Sequence, residues 1–123
     1  MKRWSPIGLL LLWVGLFACS KPTVVPVSQE LAAIDTLMQS RPDSALMLLV
    51  DTTMDDPYYQ LLLSEALYKN YQPQLNRAEL LEAVAWYDSV VDAHPRDKDA
   101  AFLDARCHYM NGVGYYEICP LPA

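Results

Sequence analysis

Glycine is scarce in this chain, with four residues in 123. That leaves little material for a phosphate-cradling loop, and no such motif can be read. Basic residues are also few. Nine Lys and Arg stand against fifteen Asp and Glu, for a formal charge of −6. This balance argues against nucleic acid, where a basic footprint is expected, and against electrostatic docking to anionic lipid. Histidine occurs twice and cysteine three times. No paired His and no Cys-x-x-Cys spacing exists, so no metal site is assigned. No Ser, His and acid grouping can be assembled, so no catalytic residue and no cofactor is assigned, and the chain reads as a non-enzyme. No convincing strand is present. Val24 to Val27 is too short and contains Pro26.

What is present begins at the N-terminus. Lys2 and Arg3 precede a charge-free apolar run from Ile7 to Ala18. That length fits the core of a secretory signal and is short for a spanning helix, which needs roughly 20 apolar residues. The run stops at Leu16-Phe17-Ala18-Cys19, which resembles the bacterial lipobox, with Phe17 where a smaller residue is usual. Ala18 supplies the small residue before the cleavage point, and Cys19 supplies the thiol after it. The resemblance implies that residues 1–18 are a lipoprotein signal peptide and that Cys19 carries lipid. A buried methylene contributes about 0.8 kcal/mol, so several acyl chains on one residue anchor a protein firmly.

Loss of Lys2 and Arg3 with that segment takes the formal charge from −6 to −8. Residues 19–27 then read as the lipidated Cys and an extended linker, because Pro22 and Pro26 interrupt any helical period. Ser20 follows Cys19 where inner-membrane lipoproteins often carry Asp. By resemblance this favours the outer membrane, facing the periplasm. Cys107 and Cys119 remain. An oxidising periplasm permits a bond between them. Cys107 reads as mid-helix, and two unpaired thiols are the expectation, with pairing left open.

Residues 28–112 read as five helices with clear punctuation. The first spans 29–40, with Ser28 as cap and Leu31, Ile34, Leu37 and Met38 on one face. Arg41-Pro42-Asp43 breaks it. Asp43 or Ser44 caps a short second helix to Val50. Asp56-Pro57 starts the third, which runs to Asn70. Asn76 with Glu79 resembles a capping box for the fourth, which ends at Ala93 before His94-Pro95. Asp97 caps the fifth from Lys98 to Asn111, and Gly112 sits where a helix-ending glycine belongs. Residues 113–123 read as an irregular tail.

The stretch Ala83 to Pro95 resembles the second helix of a tetratricopeptide (TPR) unit. Ala83, Tyr87, Val90 and Pro95 hold its spacing of small residue, aromatic, packing residue and terminating proline. Leu31 to Leu46 and Tyr59 to Asn70 are similar to segments of bacterial TPR lipoproteins. The resemblance implies an all-α fold of antiparallel helical hairpins of TPR-like solenoid type. Such solenoids need about three repeats and polar caps, and the fifth helix lacks a successor. The expectation is a C-terminally truncated form of a longer repeat protein. The alternative is a complete short protein whose tail folds back over helix five.

Helical spacing assigns most aromatics to the core. Tyr68, Tyr71, Trp86 and Tyr109 are the candidates for a concave binding surface. His94 reads as a helix terminus. His108 lies beside Cys107, and adjacent helical residues point about 100° apart, so the two share no metal face. Asp55-Asp56 reads as loop and cap, and Asp97, Asp99 and Asp104 as a solvated helix start and face. The implied function is a membrane-anchored envelope scaffold that binds a protein or peptide partner. The alternatives are a glycan-binding helical lipoprotein that assists outer-membrane uptake, or a non-functional fragment.

Overall fold

The computed structural model describes residues 25–118. The segment read as a signal peptide, Cys19, most of the segment read as a linker, and Cys119 lie outside the described residues. The described residues form five α-helices and no strand: α1 (Gln29–Met38), α2 (Pro42–Asp51), α3 (Pro57–Lys69), α4 (Arg77–Ala93) and α5 (Lys98–Ile118). The all-α expectation therefore holds as a five-helix bundle.

The helix starts show which signals the chain uses. Pro42 and Pro57 occupy first helical positions, where the missing N–H has no intrahelical partner to lose. The Asp56 carboxylate accepts from the Tyr58 N–H at 2.8 Å. Asp97 accepts from the Asp99 and Ala100 amides at 3.0 and 3.1 Å. Ser28 makes no side-chain cap bond. The N-cap of α2 is Arg41, not Asp43 or Ser44. Asn76 forms no capping box. Its side chain is buried instead. It accepts from the Ser64 hydroxyl at 3.0 Å and donates to the Gln60 carbonyl and side chain, each at 2.9 Å. A buried amide needs all its partners, and α3 supplies them, so this residue pins the start of α4 to α3.

The expected stop at Asn111 is corrected. Helix α5 continues through Gly112 and Gly114 to Ile118, so the segment read as irregular is helical that far. A glycine inside a helix costs only about 1 kcal/mol relative to Ala, and packing outweighs it here. Gly114 is buried against the α3–α4 connection. A Cβ there would lie 2.0 Å from Gln74 Oε1 and 3.1 Å from Arg77 Nη1. Gln74 Nε2 donates to the Met110 carbonyl at 3.2 Å, and the Arg77 guanidinium sits 4.3 Å from the centre of the Tyr115 ring.

Each helix packs on its sequence neighbours, and α3 also touches α1 and α5. No other pair of described helices makes close backbone contact; in particular α2 and α4 do not meet. One contiguous core results. It joins Leu31, Ile34 and Met38 of α1 to Leu49 of α2 and to Leu61 and Leu62 of α3. Leu80, Ala83 and Tyr87 of α4 and Leu103 and Cys107 of α5 complete it. Val25, inside the segment read as linker, is buried against this core. Ala83 and Tyr87 are thus packing residues, as their spacing implied.

Candidate functional site

Helix α5 presents Phe102, Arg106 and Tyr109 along one stripe, by their i, i+4 and i+7 spacing. Arg106 is the centre of a charged network that reaches the other two odd-numbered helices. Its Nη1 and Nη2 donate to Asp35 Oδ2 and Oδ1 on α1 at 3.0 and 3.1 Å. Its Nε donates to Glu65 Oε2 on α3 at 3.0 Å, and Nη2 also donates to Glu65 Oε1. One guanidinium thus grips two carboxylates in bidentate fashion, a geometry its planar fork favours. The Tyr58 hydroxyl donates to Asp35 Oδ2 at 2.5 Å. Phe102 covers Arg106 with its ring centre 5.5 Å from the guanidinium carbon.

The network is mostly closed to water. Arg106, Asp35 and Glu65 are 18, 19 and 17% exposed. Burial disfavours the arginine charge, but the hydrogen bonds to Glu65 and Asp35 outweigh it and hold the proton more firmly than usual. Burial first, and the bond to Asp35 second, push the Tyr58 phenol above its ordinary range. Tyr58 therefore remains a neutral donor. The arrangement carries two carboxylates against one guanidinium. Burial, with Asp104 next, pushes the nearby Cys107 thiol up to about 12, so it behaves as an apolar core residue. Among the described residues Cys107 forms no disulfide and is buried.

The four aromatic candidates divide. Tyr68 lies one turn beyond Glu65 on α3, and Tyr109 lies one turn beyond Arg106 on α5, so each neighbours one partner of the ion pair. Both are exposed. Tyr71 ends α3. Its N–H donates to the Tyr68 carbonyl at 3.1 Å, and the next amide, Gln72, donates to Leu67 at 2.8 Å. These two bonds form a Schellman motif, whose left-handed position is usually glycine. Here it is Tyr71, with φ of 57° and 96% exposure. Trp86 belongs elsewhere. It sits on α4, at the margin of exposure, with its ring edge-on to Tyr87 at 5.0 Å. The structure links Tyr71 to Tyr68 through the backbone just past the end of α3, aligns Tyr109 with Arg106, and leaves Trp86 on α4.

Sequence reasoning missed Arg106, Asp35 and Glu65. A signal was present: each interrupts or borders an apolar run, Asp35 within Leu31–Met38, Glu65 within Leu61–Leu67 and Arg106 beside Leu103 and Cys107. Among the described residues, one grouping has metal-ligand atoms within reach of one another: Asp88, Asp104 and His108, between α4 and α5.

A scan against protein-family models found no match, and searches of curated proteins and of solved structures found none either.

Proposed function

We propose that this chain is a lipid-anchored envelope protein, held at the outer membrane through Cys19 and facing the periplasm. Its helices form a TPR-like array that acts as a scaffold for a protein or peptide partner. The reading assigns binding, not catalysis. The observation that carries it is the packing order. Helix α3 touches both α1 and α5, while α2 and α4 stay apart. Odd-numbered helices in one layer and even-numbered ones in another is the order that stacked helical hairpins produce.

The odd-helix layer carries the chemistry suited to a partner. Arg106, Asp35 and Glu65 tie its three helices together, Tyr68 and Tyr109 stand exposed one turn from Glu65 and Arg106, and Tyr71 is exposed just past the end of α3. Tyr71 adds a second argument. A non-glycine residue in the left-handed region costs about 1–2 kcal/mol, and its side chain packs against almost nothing. Strain retained without a packing gain motivates a role in binding.

The anchor is tested by labelled palmitate in cells expressing the full chain. Label is expected on the wild type and absent from Cys19→Ala. Retained label in that variant contradicts the anchor. Affinity capture on the lipidated chain tests the partner class. Recovery of a discrete envelope protein supports the scaffold, whereas capture of oligosaccharide alone favours the glycan-binding alternative.

A further inference from the structure

A second cluster of titratable groups lies between α4 and α5. Asp88 comes from α4. Asp104 and His108 come from α5, four residues apart and therefore on one face. His108 Nε2 lies 2.7 Å from Asp88 Oδ1 and 3.6 Å from Asp104 Oδ1. One ligand atom from each residue lies within 4.8 Å of the others. Around a tetrahedral ion with ligand bonds of about 2.0–2.2 Å, donor atoms sit about 3.3–3.6 Å apart. The observed separations straddle that spacing, so an ion fits with modest side-chain adjustment.

Asp104 Oδ1 marks this cluster out from an ordinary hydrogen-bonded surface pair. The atom is buried and accepts no hydrogen bond; its nearest cationic donor, His108 Nε2 at 3.6 Å, is too far to make one. Burial first, and the neighbouring Asp88 second, push the Asp104 carboxyl up to about 6. Asp92 adds further negative potential. Two carboxylates and one imidazole thus face a common point with no basic side chain among them. A divalent charge there would reverse the penalty on ionised Asp104.

We propose that Asp88, Asp104 and His108 bind a first-row divalent transition-metal ion of the Zn²⁺ class. His108 Nε2, Asp104 Oδ1 and a carboxylate oxygen of Asp88 are the ligands, and the fourth position is left to water or an exogenous donor. The mixed nitrogen and oxygen set suits such an ion, whereas Ca²⁺ and Mg²⁺ favour all-oxygen shells of about six or more ligands. His108 is half-exposed, which gives the ion a path from solvent. Bound there, the ion bridges α4 and α5.

The test is zinc chloride titration of the full chain in detergent, followed by calorimetry and thermal melting. One saturable equivalent is expected, together with a rise in Tm that depends on zinc. His108→Gln and Asp104→Asn should each weaken binding at least about tenfold and abolish that rise, each judged against its own metal-free melting temperature. His94→Gln serves as control and should leave binding unchanged. Cobalt(II) substitution should give a visible spectrum without thiolate charge-transfer bands. The proposal is overturned by absence of a saturable equivalent, by unchanged zinc affinity in His108→Gln, or by a thiolate band that assigns the metal to cysteine.

Discussion

Replacement of Arg106 by Met tests whether the network on the odd-numbered helices holds the fold together. The perturbation removes four hydrogen bonds and leaves Asp35 and Glu65 facing each other. A solvated surface ion pair contributes about 0–1 kcal/mol. Removal of one partner from a buried pair costs about 3–5 kcal/mol, because the other charge is left uncompensated. Exposures below one-fifth put this network near the second case, and the residual water contact puts it at the lower end. A loss of about 3 kcal/mol is expected at pH 7. The sign with pH follows. Without Arg106, two mostly buried like charges repel each other, and acid relieves that repulsion by neutralising them, so the penalty grows as pH rises. The deficit of Arg106→Met against wild type should therefore be smallest near pH 4 and fully developed at pH 7. Urea unfolding followed by far-ultraviolet circular dichroism at both pH values reads it. Replacing Asp35, Glu65 and Arg106 together by Asn, Gln and Met should recover most of the loss. A deficit below about 1 kcal/mol, equal at both pH values, refutes a buried network.

Three further perturbations probe separate parts of the account. Gly112→Ala should stabilise by about 0.5–1 kcal/mol in urea unfolding, because position 112 is inside α5 and a Cβ there meets nothing; destabilisation would restore the helix-ending role. Tyr71→Gly should raise stability by about 1 kcal/mol through relief of the left-handed strain, yet reduce partner capture; a fall in the urea midpoint would show that the tyrosine packs. In metal-free buffer, wild-type stability should fall as pH rises from about 4 to 6. Asp104 is held protonated up to about 6 in the folded state and titrates lower when unfolded. Asp104→Asn should flatten that slope, and an unchanged slope would remove the assignment.

Much of the fold was legible because its signals are local. Pro57 and Asp97 mark helix starts through their own backbone chemistry, and Ala83 and Tyr87 announce packing through spacing; Pro42, read as part of a break, itself opens α2. The end of α5 was not legible. The glycine signal at Gly112 is worth about 1 kcal/mol, and contacts from Gln74 and Arg77, more than thirty residues away, override it. Asn76 misled for a related reason. Its type and spacing suggest a cap, but Ser64 and Gln60 claim its side chain. The candidate site was half visible. Tyr68, Tyr71 and Tyr109 are exposed, and Trp86, exposed to a lesser degree, sits on α4. Arg106 needed Asp35, 71 positions away, to acquire meaning. His108 offered a readable cue in Asp104 four residues earlier, but Asp88 comes from a different helix.

The most direct test of the scaffold is site-specific photo-cross-linking in intact cells. A benzoylphenylalanine replaces Tyr109, one turn from Arg106, or Tyr71, just past the end of α3, or Met47, which is well exposed on α2. The account predicts a discrete protein adduct from positions 109 and 71 and none from position 47. Adducts from position 47 alone, or no adduct from any position in the lipidated full chain, would contradict it.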